Sequence, residues 1–563
     1  MTDVAEHTAA LTDFELGERT QRLDERPGGL PPDQPQREIR RRRGWVVAVV
    51  AATFWAFWDA GLGRESVVNT GGWTVAKRFI TAMWRPELSR DFVELALRAA
   101  VTTVEYALLA TAVAMVIGVI GGVASSELIW QRDGLDVRRG SGGAAQQRPR
   151  LGWLAARAVN VVPRGIHEAI WALLLLLILG ADPMAAVLAI AIPFGAISAK
   201  VIAEMIDDAP IDAYRALRAA GSTKLAAMAY GIGPIVLADV VSYGFYRLEC
   251  SVRSSVVVGM IGAGGIGFQI AVSEDGLNYG ELWTLIYLLI VMSALADGWG
   301  ASLRNRPSTT RLRVSALVAT GLTAASAWHL GLRPWELFSG DNRGEAARIA
   351  GDAWPPKLPR GGWSELWSGV IDTLQLSIIA ISIAAMVALP MAFIAARPAR
   401  RGWGSVPAGM ARFVLLFCRA VPPPLWALLV LFLTYPGPIA GGVALGLYTL
   451  GVLGRLDAEV VENADQAPTT ALRAAGATSG AAFAYGTLPI VAPRFVALGL
   501  YRWEVAIRET VIVGLVGAGG LGRLLQQQRA GFDEARMFTT ILTLIALAFA
   551  VDVISSALRR SLR

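Results

Sequence analysis

The sequence predicts an all-α integral membrane protein of about 12 transmembrane helices, built as two parallel six-helix repeats. Three observations predict it. Hydrophobic residues make up 54% of the 563 and are gathered into blocks of about 20, the length that crosses a hydrocarbon core. Only 17% of residues are charged, below the quarter or so of soluble domains. The chain also repeats itself at a fixed interval.

Residues 1–39, rich in Asp, Glu, Pro and Gln, read as a disordered cytoplasmic tail. So long a polar lead does not fit a cleavable signal peptide. Apolar runs place the first repeat over 40–305, with spans near 45–62, 95–123, 153–180, 183–202, 225–246 and 281–300. The second repeat, 306–563, has spans near 312–332, 366–395, 408–434, 436–456, 480–501 and 536–556. Arginines cluster at run ends, at 40–43, 304–313 and 559–563. Such clusters stay cytoplasmic, so the net charge of +7 reports topology and argues against nucleic acid as a partner. Six crossings from Arg40 return the chain to the cytoplasm at Arg304, and the second repeat starts with the same orientation. The repeats are then related by an axis along the membrane normal.

A shift of 255 puts Trp171 on Trp426, Pro183 on Pro438, Pro234 on Pro489 and Arg253 on Arg508. Upstream the shift becomes 270, with Trp84 on Trp354 and Thr103 on Thr373. The polar loop around Gln131–Arg150 carries the extra 15 residues, as loops and not spans can.

Two repeated segments suggest chemistry. GMIGAGGIG at 259–267 holds Gly262, Gly264 and Gly267 at the G-x-G-x-x-G spacing, with Gly265 between. A nucleotide site needs a strand before the motif and a helix opening on it, whereas here Glu249–Arg253 precede it and another apolar run soon follows, so a nucleotide site is disfavoured. Its copy GLVGAGGLG supplies Gly517, Gly519, Gly520 and Gly522. The preferred reading is a tight, closely packed re-entrant turn on the external side, although freed backbone amides could also meet an anion. The second segment lies between spans four and five, on the cytoplasmic side. Ile211, Tyr214, Leu217 and Ala220 form one apolar stripe and Gly221 stops the helix. Such a helix could simply lie at the interface, but two copies in register favour docking to something cytoplasmic and two-fold.

The run Ala216-Leu217-Arg218-Ala219-Ala220-Gly221 has Pro234 thirteen residues after its glycine, and Ala471-Leu472-Arg473-Ala474-Ala475-Gly476 is likewise followed by Pro489. Both resemble the coupling segment of ABC-importer permeases. Tyr246–Arg253 with Val258–Gly267, and Tyr501–Arg508 with Val513–Gly522, resemble the phosphonate ABC transporter permease. The resemblance covers about 80–304 and 350–559 and implies two such permeases fused head to tail in the type I importer fold. It further implies transport of phosphonate or a related phosphorus oxyanion, phosphate or phosphite, across the cytoplasmic membrane of a prokaryote. Two ATPase subunits would grip Ala216, Leu217, Arg218, Gly221, Ala471, Leu472, Arg473 and Gly476, and an extracytoplasmic substrate-binding protein would deliver the ligand. The glutamate usual in the motif is replaced by Arg215 and Thr470.

The chain has no G-x-x-x-x-G-K-[ST] loop, so ATP would be bound and hydrolysed by partner subunits. His7, His167 and His329, with Cys250 and Cys418, are too scattered for a metal centre, and no clustered nucleophile and base suggests an enzyme. Arg247, Glu249, Arg253 and their copies Arg502, Glu504, Arg508 fall roughly 20 to 28 Å up the fifth span from Pro234, where charges are costly unless paired or facing water. Glu249 with Arg253, and Glu504 with Arg508, have the favourable i,i+4 order, so they could merely hold the helix. The arginines could instead line an anion's path. An ion-coupled secondary carrier of anions with 6+6 parallel repeats is the alternative function.

Overall fold

The computed structural model describes residues 34–62, 67–130, 151–305, 308–396 and 405–562. Most of residues 1–39 and the 131–150 loop lie outside them. Among the described residues the chain is helical, and its one extended pairing is an isolated bridge between Val68 and Thr434. In the first half the helices that carry the argument are α1 (Gln34–Asp59), α2 (Arg90–Ser125), α3 (Leu151–Gly165), α4 (Glu168–Leu179) and α5 (Pro183–Asp207). They continue with α6 (Asp212–Ala219), α7 (Gly233–Val258), α8 (Gly265–Asp275) and α9 (Tyr279–Asn305). Their counterparts are α10 (Thr309–His329), α11 (Gly362–Ala395), α12 (Ser405–Ala420), α13 (Pro423–Leu433) and α14 (Pro438–Glu462). The series closes with α15 (Ala467–Ala474), α16 (Leu488–Leu515), α17 (Gly520–Ala530) and α18 (Glu534–Leu562). The 255-residue register holds to the residue at both ends of α5 and α14, of α6 and α15, and of α8 and α17.

Eight of these helical stretches are long and apolar enough to cross a membrane, and up to ten spans result if each bent pair counts as one. The bent pairs are the difference from the sequence expectation of straight spans at 153–180 and 408–434. Helices α3 and α4 meet at 86°, and α12 and α13 at 95°. The second break follows from Pro422, Pro423 and Pro424: Pro422 is extended (ψ 153°) and its successors lack amides to continue the ladder. In the first, Pro163 lies near the end of α3 and His167 caps α4, its Nδ1 accepting from the Ala169 amide at 3.1 Å. At 12 residues, α4 is about 18 Å long, too short to cross by itself. The two leading spans expected at 45–62 and 312–332 are helices, α1 apolar over Gly44–Asp59 and α10 of 21 residues, but neither is among the ten, so the described residues give up to ten spans where the sequence predicts about 12.

Without water to drive apolar surfaces together inside a bilayer, helix pairing relies on small residues that let backbones approach. Helices α2 and α5 follow that rule. A Cβ at Gly118 would sit 2.6 Å from the Ser198 Cβ, and one at Gly195 would sit 2.7 Å from Ile117. In the second half, Gly441 and Gly442 of α14 meet Leu376 and Ile379 of α11 in the same manner.

The described residues pack as two compact units, one drawn from 1–80 with 353–563 and the other from 81–352. The sequence duplication divides the chain at 305/306, whereas packing exchanges the leading helices. Within the first unit, Ala56 of α1 is buried with Ile379 and Ile439. Within the second, Ala327 and Leu330, at the end of α10, pack on the cluster around Tyr106, Leu109 and Ile190. A polar bond fastens each leading helix: His329 Nδ1 lies 2.7 Å from Glu105 Oε1, and Gln375 Nε2 donates to Asp59 Oδ2 at 2.6 Å.

Candidate functional site

The segment between spans four and five is helical, and of its predicted stripe Tyr214 is buried, Ile211 and Leu217 are half-buried and Ala220 is exposed. Tyr214, on the inner face of α6, is buried with Ile202 and Ile206 of α5 and with Met228 and Ile232. Its counterpart Thr469 is buried on α15, with its hydroxyl 2.9 Å from that of Thr487. Both helices end in the same way. The Gly221 amide donates to the Arg218 carbonyl at 3.0 Å and the Ser222 amide to the Leu217 carbonyl at 3.1 Å; Gly476 and Ala477 bond to Arg473 and Leu472 at 3.0 Å each. This is a Schellman end, which needs a left-handed residue, and Gly221 and Gly476 supply φ of +87° and +90°. Ala216, Gly221, Ala471, Arg473 and Gly476 are exposed, as are Arg215 and Thr470, while Leu217, Arg218 and Leu472 are half-buried.

Each short helix rests on the root of the following span. Residues Met228–Ile232 and Phe483–Thr487 form π-helical turns leading into α7 and α16, a wider winding often met at functional positions. Glycine is needed there: a Cβ at Gly231 would stand 2.9 Å from the Tyr214 amide nitrogen, and one at Gly486 2.8 Å from Thr469 Oγ1. Displacing α6 or α15 must therefore move the base of α7 or α16.

The far ends of those spans meet the glycine runs. Gly262, Gly264 and Gly265 have φ of +125°, +95° and +69°, and Gly517, Gly519 and Gly520 have +94°, +108° and +69°, conformations with a low cost only for glycine. Gly267 and Gly522 meet backbone instead, where a Cβ would be 1.9 Å from the Val256 carbonyl and 2.6 Å from that of Val511. The amide of Ile266 donates to Thr103 Oγ1 at 2.8 Å, and that of Leu521 to Thr373 Oγ1 at 2.9 Å. Tyr106 adds a bond to the Ala263 carbonyl at 3.0 Å.

Between root and turn lie the charges. Arg253 is 3.2 Å from Glu249 and Arg508 is 3.6 Å from Glu504, the two i,i+4 pairs read from the sequence. Glu504 also lies 3.5 Å from Arg559 of α18. Buried Arg502 pairs with Glu509 at 3.1 Å, two helical turns on, a partner that a search at i,i+4 misses. Buried Arg247 has different company. Its Nε donates to the Tyr243 hydroxyl at 2.7 Å, and the guanidinium carbon lies 5.0, 5.2 and 5.9 Å from the ring centres of Phe194, Tyr243 and Tyr246. Ser254, where the second half has Glu509, donates to Glu168 at 2.7 Å.

A family of proteins described as the binding-protein-dependent transport system inner membrane component matches residues 388–563. The phosphite transport system permease protein PtxC of Stutzerimonas stutzeri is 33% identical over 244 residues, which are 43% of this chain and 86% of that one. The chain belongs to the ABC-importer permeases. The phosphate-import permease protein PhnE of Mycolicibacterium smegmatis is 28% identical over 426 residues, 72% of this chain and 77% of that one. Less than half of this permease thus matches most of PtxC. Membership makes the chain the multi-pass component of an inner membrane transport system, with an ATPase and a binding protein as partners in general, and sets aside the ion-coupled carrier.

Proposed function

We propose that this permease furnishes both halves of the membrane pathway of an importer for a phosphorus oxyanion, phosphonate, phosphite or phosphate, in the plasma membrane of a prokaryote. Two ATPase subunits dock on α6 and α15 from the cytoplasm, and an extracytoplasmic binding protein delivers the ligand. The observation that carries this reading is the pair α6 and α15, which share one register, one glycine-terminated end and an exposed face of small residues. A two-fold motor needs two matching handles. The relatives' transport of phosphate and phosphite, by their names, supports the substrate class.

The mechanism follows from the contacts. Closure of the ATPases on ATP displaces α6 and α15. Tyr214 against Gly231, and Thr469 against Gly486, pass that displacement to the roots of α7 and α16. Those spans carry the buried arginines and end in the glycine turns, which are held by Thr103 and Thr373 as packing elements. Tilting them re-faces the guanidinium groups along the anion path, for which planar forks suit oxyanions. Proteoliposomes containing the chain, its ATPase and its binding protein test the reading. ATP-dependent accumulation of phosphate, phosphite or methylphosphonate is expected, and accumulation driven by a proton gradient without ATP contradicts it.

A further inference from the structure

We infer that anion contact within the membrane is made by the first half alone: Arg247, set among Tyr243, Phe194 and Tyr246, meets the oxyanion, and its counterpart Arg502 is structural. The inference rests on the oxyanion reading above and narrows four arginines to one.

The duplication supplies an internal comparison. Three of the four guanidinium groups are neutralised by carboxylates, Arg253 by Glu249, Arg502 by Glu509 and Arg508 by Glu504. A guanidinium paired with a carboxylate has its charge compensated and gains little from a second anion. Arg247 pairs with no carboxylate among the described residues; its one hydrogen bond goes to a neutral phenol. Ring faces attract a cation without cancelling its charge. An uncompensated charge in apolar surroundings is costly, and an arriving anion relieves that cost at Arg247 only.

Three exchanges between the halves account for the difference. Thr449 stands where the first half has Phe194, Leu498 where it has Tyr243, and Glu509 where it has Ser254. The second half thus lacks two rings, one of them the phenol, and carries the acid that neutralises Arg502. Ser198 lies one turn from Phe194 on α5 with its buried hydroxyl beside that of Tyr243, whereas its counterpart is apolar Leu453. A charged fork beside two hydroxyls matches an anion with several oxygens on one centre.

The test uses proteoliposomes of the whole transporter with its ATPase and binding protein. Uptake of radiolabelled inorganic phosphate, phosphite and methylphosphonate and the thermal unfolding of each variant are measured for R247K, R247Q, R502Q and R502M/E509M. R247Q and R247K are expected to unfold near the wild-type temperature and to raise the half-saturating concentration or lower maximal uptake about tenfold. R502Q is expected to unfold earlier, and R502M/E509M to regain stability and uptake. Wild-type uptake by R247Q and R247K overturns the inference, and so does early unfolding of R247K, which keeps the charge. Loss of uptake in a stably folded R502M/E509M overturns it too. If the wild type moves none of the three anions, the oxyanion reading fails and this inference with it; wild-type uptake with unaffected R247 variants removes this inference alone.

Discussion

His329 Nδ1 lies 2.7 Å from Glu105 Oε1, and the residues 270 positions away from each, Asp59 and Gln375, meet at 2.6 Å. The duplication has kept the bond between leading helix and second span while exchanging its chemistry, an acid and an imidazole in one unit, an amide and an acid in the other. Glu105 Oε2 is buried without a hydrogen-bond partner, so Oε1 carries the bonding of this carboxylate among the described residues.

E105Q, which installs the residue found at Gln375, is expected to leave thermal stability within a degree or two of wild type. E105A loses the bond and opens a cavity, and should cost about 1 to 3 kcal/mol. Combining E105A with H329A should cost less than the sum of the two, because both remove one interaction. Strict additivity in detergent unfolding would mean that the contact contributes nothing.

Gly221 and Gly476 have no atom within 4 Å of where a Cβ would stand. Substitution there acts through φ alone, at about 1 to 2 kcal/mol for each L-residue held left-handed. G221A/G476A is therefore expected to insert and fold while the ends of α6 and α15 fray. ATP hydrolysis by the complex should persist with uptake reduced severalfold. Unchanged coupling between hydrolysis and uptake would remove these ends from the docking role.

Thr103 and Thr373 hold the amides that open α8 and α17. T103V and T373V keep the shape and strand a buried donor, for about 1 to 3 kcal/mol each. T103S and T373S keep the oxygen and should stay near wild type. Equal unfolding temperatures for the Val and Ser variants would show that the hydroxyls do not anchor the turns.

Much of this fold was legible because membrane spans announce themselves by length and a duplication checks every reading twice. The register alone placed α5 over α14 and α6 over α15, and the glycine-to-proline spacing located the cytoplasmic helices. The breaks were less legible. Hydropathy averages over Pro422–Pro424 and over His167, yet the local backbone decides there whether a run of 27 or so residues crosses straight. Pairings across helices were least legible. Glu509 is two turns from Arg502, and Glu105 and His329 are scattered in sequence, so only packing brings them together. The exchange of α1 and α10 between units was likewise hidden, since apolar faces do not name their partners.

Native mass spectrometry of the assembled transporter tests the central claim most directly, because it counts chains. A single copy of this 59.9 kDa chain with two ATPase subunits is the predicted composition. Two copies with two ATPase subunits would mean that α6 and α15 do not both serve one motor, and would contradict the account.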